Sequence, residues 1–100
     1  MLTQKVPYIR VFKLVSSEEI ITKVVGETAE EYMIEKPYQP MTTLDGVQWV
    51  PYMWMGDTSK PVPLHKNNVI MDAPPLPKSE AYYQSLVTGI AVPEKSAIVI

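Results

Sequence analysis

Short runs of apolar, β-branched residues separated by polar turns predict three strands near the start of the chain. Arg10–Val15, Ile20–Gly26 and Tyr32–Lys36 each have the composition of a strand, and the third run stops at Pro37. A pair of serines separates the first two runs, and a polar, acidic segment separates the second from the third. The pattern therefore predicts an antiparallel meander.

A hairpin is predicted next, around Asp45-Gly46. Aspartate and glycine tolerate the positive φ angles that a type I′ turn requires. Met41–Leu44 would then pair with Val47–Met55, a strand whose two faces are both largely apolar. A small barrel has a single interior, so we expect a neighbouring molecule to cover the outer face of that strand.

The last third of the chain predicts one more strand and one helix. A final strand is expected around Val69–Met71, and the prolines that follow end it. The helix is expected over about residues 79–88, with Ser79 as its N-cap. Tyr82, Leu86 and Ile90 recur four residues apart and predict an apolar stripe that docks on the sheet.

Composition and charge narrow the class of protein. The chain has 100 residues, 46% hydrophobic and 20% charged, as expected for one globular domain. Its net charge of −2 argues against a general nucleic-acid coat, which would depend on excess Lys and Arg. No cysteine is present, which excludes disulfides and zinc-thiolate sites, and we expect no metal and no cofactor. The sequence contains no apolar run of the length that a membrane span needs, so we expect a cytoplasmic protein without membrane contact.

Catalytic constellations are not evident. His65 is the single histidine, and no nucleophile-elbow or phosphate-loop pattern accompanies it. The glutamates cluster in turns and near strand ends, where carboxylates are usually solvated. We therefore expect that the protein is not an enzyme.

Two segments resemble the conserved motifs of the Sm/LSm family, which includes the bacterial protein Hfq. Val11–Pro37 is similar to the first motif: a strand, a short turn, a long strand with a glycine near its end, an acidic turn and an apolar strand. Leu64–Pro75 is similar to the second motif, in Leu64 and in Asn68-Val69-Ile70. With the Pro51–Met53 stretch and a helix containing a Tyr-Tyr pair, the chain looks most like Sm-like proteins of tailed marine phages, the cyanophage type.

The resemblance implies a mainly β fold in a single Sm-like domain spanning residues 1–100. Its centre would be a small five-stranded, strongly bent antiparallel sheet or SH3-like barrel over about residues 10–75. A short C-terminal helix at about 79–88 and an extended tail at 90–100 would follow. Copies would close into a homo-oligomeric ring, of five to seven subunits, that binds single-stranded RNA in the cytoplasm of an infected bacterial host.

The predicted RNA site is the loop that enters the last strand. Lys66 would pair with phosphate, His65 would stack on a base and Asn67 would bind base edges, with Asn68 and Lys60 nearby. The family's own pocket is not intact, because Met33-Ile34 replace its asparagine and His65-Lys66 replace its Arg-Gly pair. The alternative interpretation is a solvated turn, for which asparagine is well suited.

Aromatic and apolar side chains on the later strands are predicted to form the subunit interface. Aromatic side chains could stack bases, but such residues more often fill a core or an interface, where their large area contributes most. The alternative function is a phage structural or protein-interaction module of the same fold that binds no nucleic acid, and the pI of about 5.3 favours it. The predicted interface residues are Trp49, Tyr52, Trp54, Val69 and Met71.

Overall fold

A computed structural model describes residues 6–88 of the chain. Its elements are β1 (Tyr8–Leu14), β2 (Glu19–Glu27), β3 (Glu31–Thr43), β4 (Gly46–Pro51), β5 (Val62–His65), a 3₁₀ turn (Lys66–Asn68), β6 (Val69–Ala73) and α1 (Pro77–Thr88). The strands form one antiparallel sheet in the order β4-β3-β2-β1-β6, and β5 pairs with β3.

Strand β3 is the centre of this arrangement because it pairs with three other strands. One edge pairs with β2. On the other edge, Glu31–Ile34 pairs with β5 and Tyr38–Thr43 pairs with β4. Strands β4 and β5 therefore lie end to end along the same edge of β3, and residues 52–61 leave the sheet between them.

The mainly β fold with a C-terminal helix is confirmed, but two details of the predicted barrel are wrong. The sheet has six strands rather than five, and it is not closed by strand pairing within residues 6–88. The additional strand arises from the excursion that splits one long edge strand into β4 and β5. Pro51 and Pro61 mark its two ends, and proline has no N–H to continue a ladder.

The core lies inside the bend of the sheet, where the inward-facing side chains of three strands meet. Its buried members are Phe12, Leu14, Ile20, Val24 and Ile34. Thr22 is also fully buried, and its hydroxyl donates a 2.7 Å hydrogen bond to the carbonyl oxygen of Glu35. The three strands of the predicted meander therefore build the core.

Strand β3 runs through Pro37 to Thr43, although the sequence predicted that it would stop at Pro37. A β-bulge at this point accommodates the proline, because Glu35 pairs with Lys23 and Tyr38 pairs with Ile21. Lys36 adopts a φ of 52° in the bulge, an uncommon conformation for a residue with a side chain. The bulge lets the strand continue and pair with β4.

The hairpin turn consists of Leu44 and Asp45, one residue earlier than predicted, and Gly46 is the first residue of β4. It is not a type I′ turn, because among these residues Gly46 alone has a positive φ, of 122°. The Thr43 hydroxyl stabilises the turn by donating to the Gly46 carbonyl at 2.9 Å and accepting from the Asp45 N–H at 3.2 Å. Strand β4 ends at Pro51, so the predicted continuation to Met55 is wrong.

Helix α1 begins at Pro77 rather than at Ser79. The fixed φ of proline suits the first helical position, which makes Pro77 a start signal as well as a strand terminator. The buried residues of the helix are Tyr82 and Tyr83, while Leu86 is half-buried. Ile90 and the predicted tail at 90–100 lie outside the described residues. No helix in residues 6–88 is long and apolar enough to cross a membrane.

Candidate functional site

The predicted RNA-binding loop packs against the acidic turn between β2 and β3. Pairing of β5 with β3 places His65 opposite Glu31. The backbone N–H of Lys66 donates a 2.9 Å hydrogen bond to the carbonyl of Glu30. The two segments therefore form one surface in which basic and acidic side chains are neighbours.

Lys66 is bound to a carboxylate of its own chain. Its Nζ lies 2.5 Å from Oε2 of Glu27 and 5.0 Å from the centre of the Tyr32 ring. The side chains of Lys66 and Glu27 are 28% and 14% exposed, so water screens this ion pair less than it would a surface pair. The ammonium expected to contact phosphate is therefore already neutralised.

His65 is more open, but it also has an acidic neighbour. Its side chain is 58% exposed, and Nδ1 lies 3.5 Å from Oε2 of Glu31. The carboxylates of Glu27 and Glu31 thus lie beside the two basic residues, and the backbone of Glu30 adjoins them. These carboxylates repel phosphate.

The remaining predicted RNA contacts are exposed. Asn67 and Asn68 lie on the 3₁₀ turn with solvent-exposed side chains, and the Asn68 carbonyl accepts a 2.9 Å hydrogen bond from the N–H of Val15. Lys60 precedes β5 whereas Lys66 follows it, and the strand between them is roughly 13 Å long. Lys60 is therefore separated from Lys66 by the length of that strand.

Of the five predicted interface residues, Trp54 and Met71 have exposed side chains, at 75% and 68%. Trp49 instead packs edge-on against Tyr82 of the helix, with ring centres 4.9 Å apart and planes at 76°. Tyr52 and Val69 are partly buried against the core. The structure thus leaves Trp54 and Met71 available to a partner and gives the other three contacts within the chain.

Two strands at the ends of the sheet, β4 and β6, have outer edges that pair with no other strand in the part of the chain that the structure describes. Strand β4 contains no charged residue. The single charge of β6, Asp72, forms an ion pair with Arg10 at 2.5 Å. Natural edge strands usually carry free charges that discourage pairing, and these two do not. Ile70 is 61% exposed and was not among the predicted interface residues, although its place beside Val69 in an edge strand is a usable signal.

A groove of about 550 Å³ runs beneath the helix and was not predicted. Aromatic rings and prolines form its apolar lining, and two lysines and a glutamate contribute charge. Burial is the main cause that raises the pKa of the Tyr83 phenol well above its usual range. The pair Pro74-Pro75, which sequence reasoning treated as a strand terminator, was the available signal. The lining includes Tyr8, Tyr83, Val87, Pro74, Pro75, Lys23 and Lys36.

Among residues 6–88, no group of three or more histidine or carboxylate side chains is placed to hold a metal ion. Compared with models of known protein families and with curated proteins, the sequence matches none. The resemblance to Sm proteins thus stays a prediction that depends on the motifs and the strand order.

Proposed function

We propose that the chain is a non-catalytic assembly module whose copies join edge to edge into a closed homo-oligomer that binds other proteins. One observation carries this proposal: β4 and β6 have free outer edges without unpaired charge. Beside the β6 edge, Ile70 and Met71 are 61% and 68% exposed. Such an edge is a template for another strand.

Pairing of β6 with the β4–β5 edge of the next copy explains why the assembly would close. The two edges are different surfaces, so the contact is heterologous and repeats around a ring when the rotation closes. The resemblance to Sm proteins supports a ring of five to seven subunits. The ring buries the exposed apolar side chains of β6 and removes its free backbone groups from water.

The charges favour a protein partner over nucleic acid. At the predicted RNA loop, Lys66 is paired with Glu27, and Glu30 and Glu31 lie beside it. The whole chain has a net charge of −2, which a ring multiplies by its subunit number. Phosphate binding depends on excess positive charge, and this surface supplies carboxylates instead.

Replacing Met71 with lysine tests the edge contact. A charge on β6 should dissociate the assembly into monomers, because an edge lysine prevents strand addition. The matched control is Leu76→Lys, at a residue that is 73% exposed but lies beyond the end of β6. Native mass spectrometry should show monomer for Met71→Lys and the wild-type assembly for Leu76→Lys. Loss of assembly in both variants, or in neither, would count against edge pairing.

Binding of single-stranded RNA by the assembled ring is the second candidate function. His65 is 58% exposed and adjoins exposed Asn67 and Asn68 on one loop, so stacking and amide donors are available there. Repetition of this loop around a ring would add weak sites together through avidity. RNA-binding measurements on Lys66→Ala and Glu27→Gln separate this candidate from the protein-binding one.

A further inference from the structure

The excursion between β4 and β5 is held firmly at its base. The Tyr52 N–H donates to the Pro37 carbonyl and the Lys36 N–H donates to the Thr58 carbonyl, both at 2.8 Å. Further along the loop, the Asp57 carboxylate accepts a hydrogen bond from the Ser59 N–H at 3.1 Å. The excursion is therefore a fixed projection from the β3 edge rather than a loose connection.

This projection displays apolar side chains to solvent. Met53, Trp54 and Met55 are 47%, 75% and 100% exposed. An exposed tryptophan between two methionines is the kind of residue set that dominates binding energy at protein interfaces. Because hydrogen bonds already order the backbone at the base, the entropy lost on binding falls mainly on the exposed side chains.

The groove beneath the helix has complementary properties. Its volume of about 550 Å³ falls in the range of pockets that enclose a ligand of several rings. Tyr8, Val87 and the two prolines offer apolar surface to an indole and a thioether, and Lys23 and Lys36 offer positive charge, with Glu80 also on the wall. Asp57, two residues after Met55, gives the loop a carboxylate that is complementary in charge to these lysines.

The positions of loop and groove in the sheet agree with the proposed assembly. The loop projects from the β4–β5 edge, and the groove begins at Pro74-Pro75, immediately after β6. Edge-to-edge joining places the β4–β5 edge of one copy beside β6 of the next copy. The loop of the first copy and the groove of the second then lie at the same boundary, whereas Trp54 is exposed within its own chain.

We propose that Trp54 and Met55 of one copy insert into the groove lined by Tyr8, Pro74 and Val87 of the next copy, an inference that rests on the edge-to-edge assembly proposed above. Each subunit then contributes the projecting loop at one boundary and the groove at the other. The strand edges set the register, and the loop supplies the central contact of the interface.

Disulfide trapping in the full-length chain tests this contact, because the chain has no cysteine of its own. The variants Met55→Cys and Gln84→Cys are prepared separately, mixed in equal amounts, oxidised and separated on a non-reducing gel. Gln84 lines the groove with an exposed side chain, so its replacement should not disturb the core. The control mixture pairs Gln84→Cys with Leu44→Cys, at the fully exposed hairpin tip.

We expect the Met55/Gln84 mixture to give a covalent heterodimer in at least several-fold higher yield than the Leu44/Gln84 mixture. In the double variant, crosslinks should connect chains into a ladder that ends at the full ring. We also expect Trp54→Ala to weaken assembly about tenfold or more, and Leu44→Ala to leave it unchanged.

The failures are distinguishable. An assembled protein with equal yields in the two mixtures would overturn the loop-in-groove contact and leave edge pairing standing. A double variant that crosslinks within a single chain would also overturn it, because the loop would then fill its own groove. A wild-type protein that is monomeric at micromolar concentration would overturn both proposals.

Discussion

Nζ of Lys66 lies 2.5 Å from Oε2 of Glu27, a residue 39 positions earlier in the chain. The pair joins the 3₁₀ turn before β6 to the end of β2. It also determines what the predicted RNA loop can do, because the lysine that would contact phosphate is paired with a carboxylate that is 14% exposed. Strand pairing thus places acidic residues beside the loop that the sequence predicted to be a basic RNA site.

Replacing Glu27 with glutamine should reveal whether Lys66 can contact RNA at all. We expect wild type and Lys66→Ala to bind a short single-stranded RNA equally weakly at low salt, measured by fluorescence anisotropy. Glu27→Gln should bind more tightly, because it frees the ammonium and removes a negative charge. Each phosphate contact thereby gained should add about −0.7 to the slope of log K against log salt concentration. If Lys66→Ala markedly weakened wild-type binding, RNA would become the leading function.

Stability should respond to the same ion pair. Lys66→Ala leaves the mostly buried Glu27 carboxylate without its partner, and we expect a loss of about 1.5–3 kcal/mol in the free energy of unfolding. Lys78→Ala, on the exposed side of the helix, is the control and should change little. Chemical denaturation of both variants at the same protein concentration checks this. Equal stability of Lys66→Ala and wild type would mean that the pair does not form in solution.

Removing the hydroxyl group should change protein stability differently at the two adjacent tyrosines of the helix. The Tyr83 hydroxyl donates to the Lys36 carbonyl at 2.7 Å, so Tyr83→Phe should cost about 0.5–1.5 kcal/mol. The Tyr82 hydroxyl is buried and has no hydrogen-bond partner among the described residues, so Tyr82→Phe should be neutral or stabilising. Thermal melts of the two variants give the comparison. A larger loss for Tyr82→Phe would contradict the docking of the helix.

Alkaline pH should unfold the protein through its buried phenols. Burial is the main cause that raises the pKa of Tyr83, and also that of Tyr8, Tyr32 and Tyr82, above the ordinary value of 10.0. A folded-state pKa above the unfolded value means that this contribution to stability is complete below pH 10 and is lost as pH rises further. The melting temperature should therefore fall steeply above pH 10, and less steeply in Tyr83→Phe. Parallel pH profiles for the two proteins would contradict this assignment.

The sequence identified the core because its signals are local. Phe12, Ile20 and Ile34 belong to three runs of β-branched and aromatic residues, and burial of those runs follows from their composition. The helix and its tyrosines were likewise predicted from spacing within one segment. Where prolines occur, local rules were misleading: Pro37 is accommodated by a bulge inside β3 and Pro77 starts the helix.

The chemistry of the site could not be predicted from those local patterns, because it depends on strand register. Nothing near Lys66 in the sequence indicates that β5 pairs with the start of β3 and brings Glu27 and Glu31 beside the basic residues. Exposure of Trp54 likewise depends on a contact between residues that are distant in the sequence. An alternating pattern placed it on a long β4, whereas Pro51 and the Tyr52–Pro37 hydrogen bond turn the chain out of the sheet.

The central claim is that copies of this chain close into a ring through their free strand edges, and sedimentation equilibrium of the wild-type protein tests it most directly. The measurement should run from low to high micromolar concentration. We expect a single species whose mass is five to seven times 11.3 kDa and does not rise with concentration. A monomer of 11.3 kDa across this range, or a mass that keeps increasing with concentration, would contradict it.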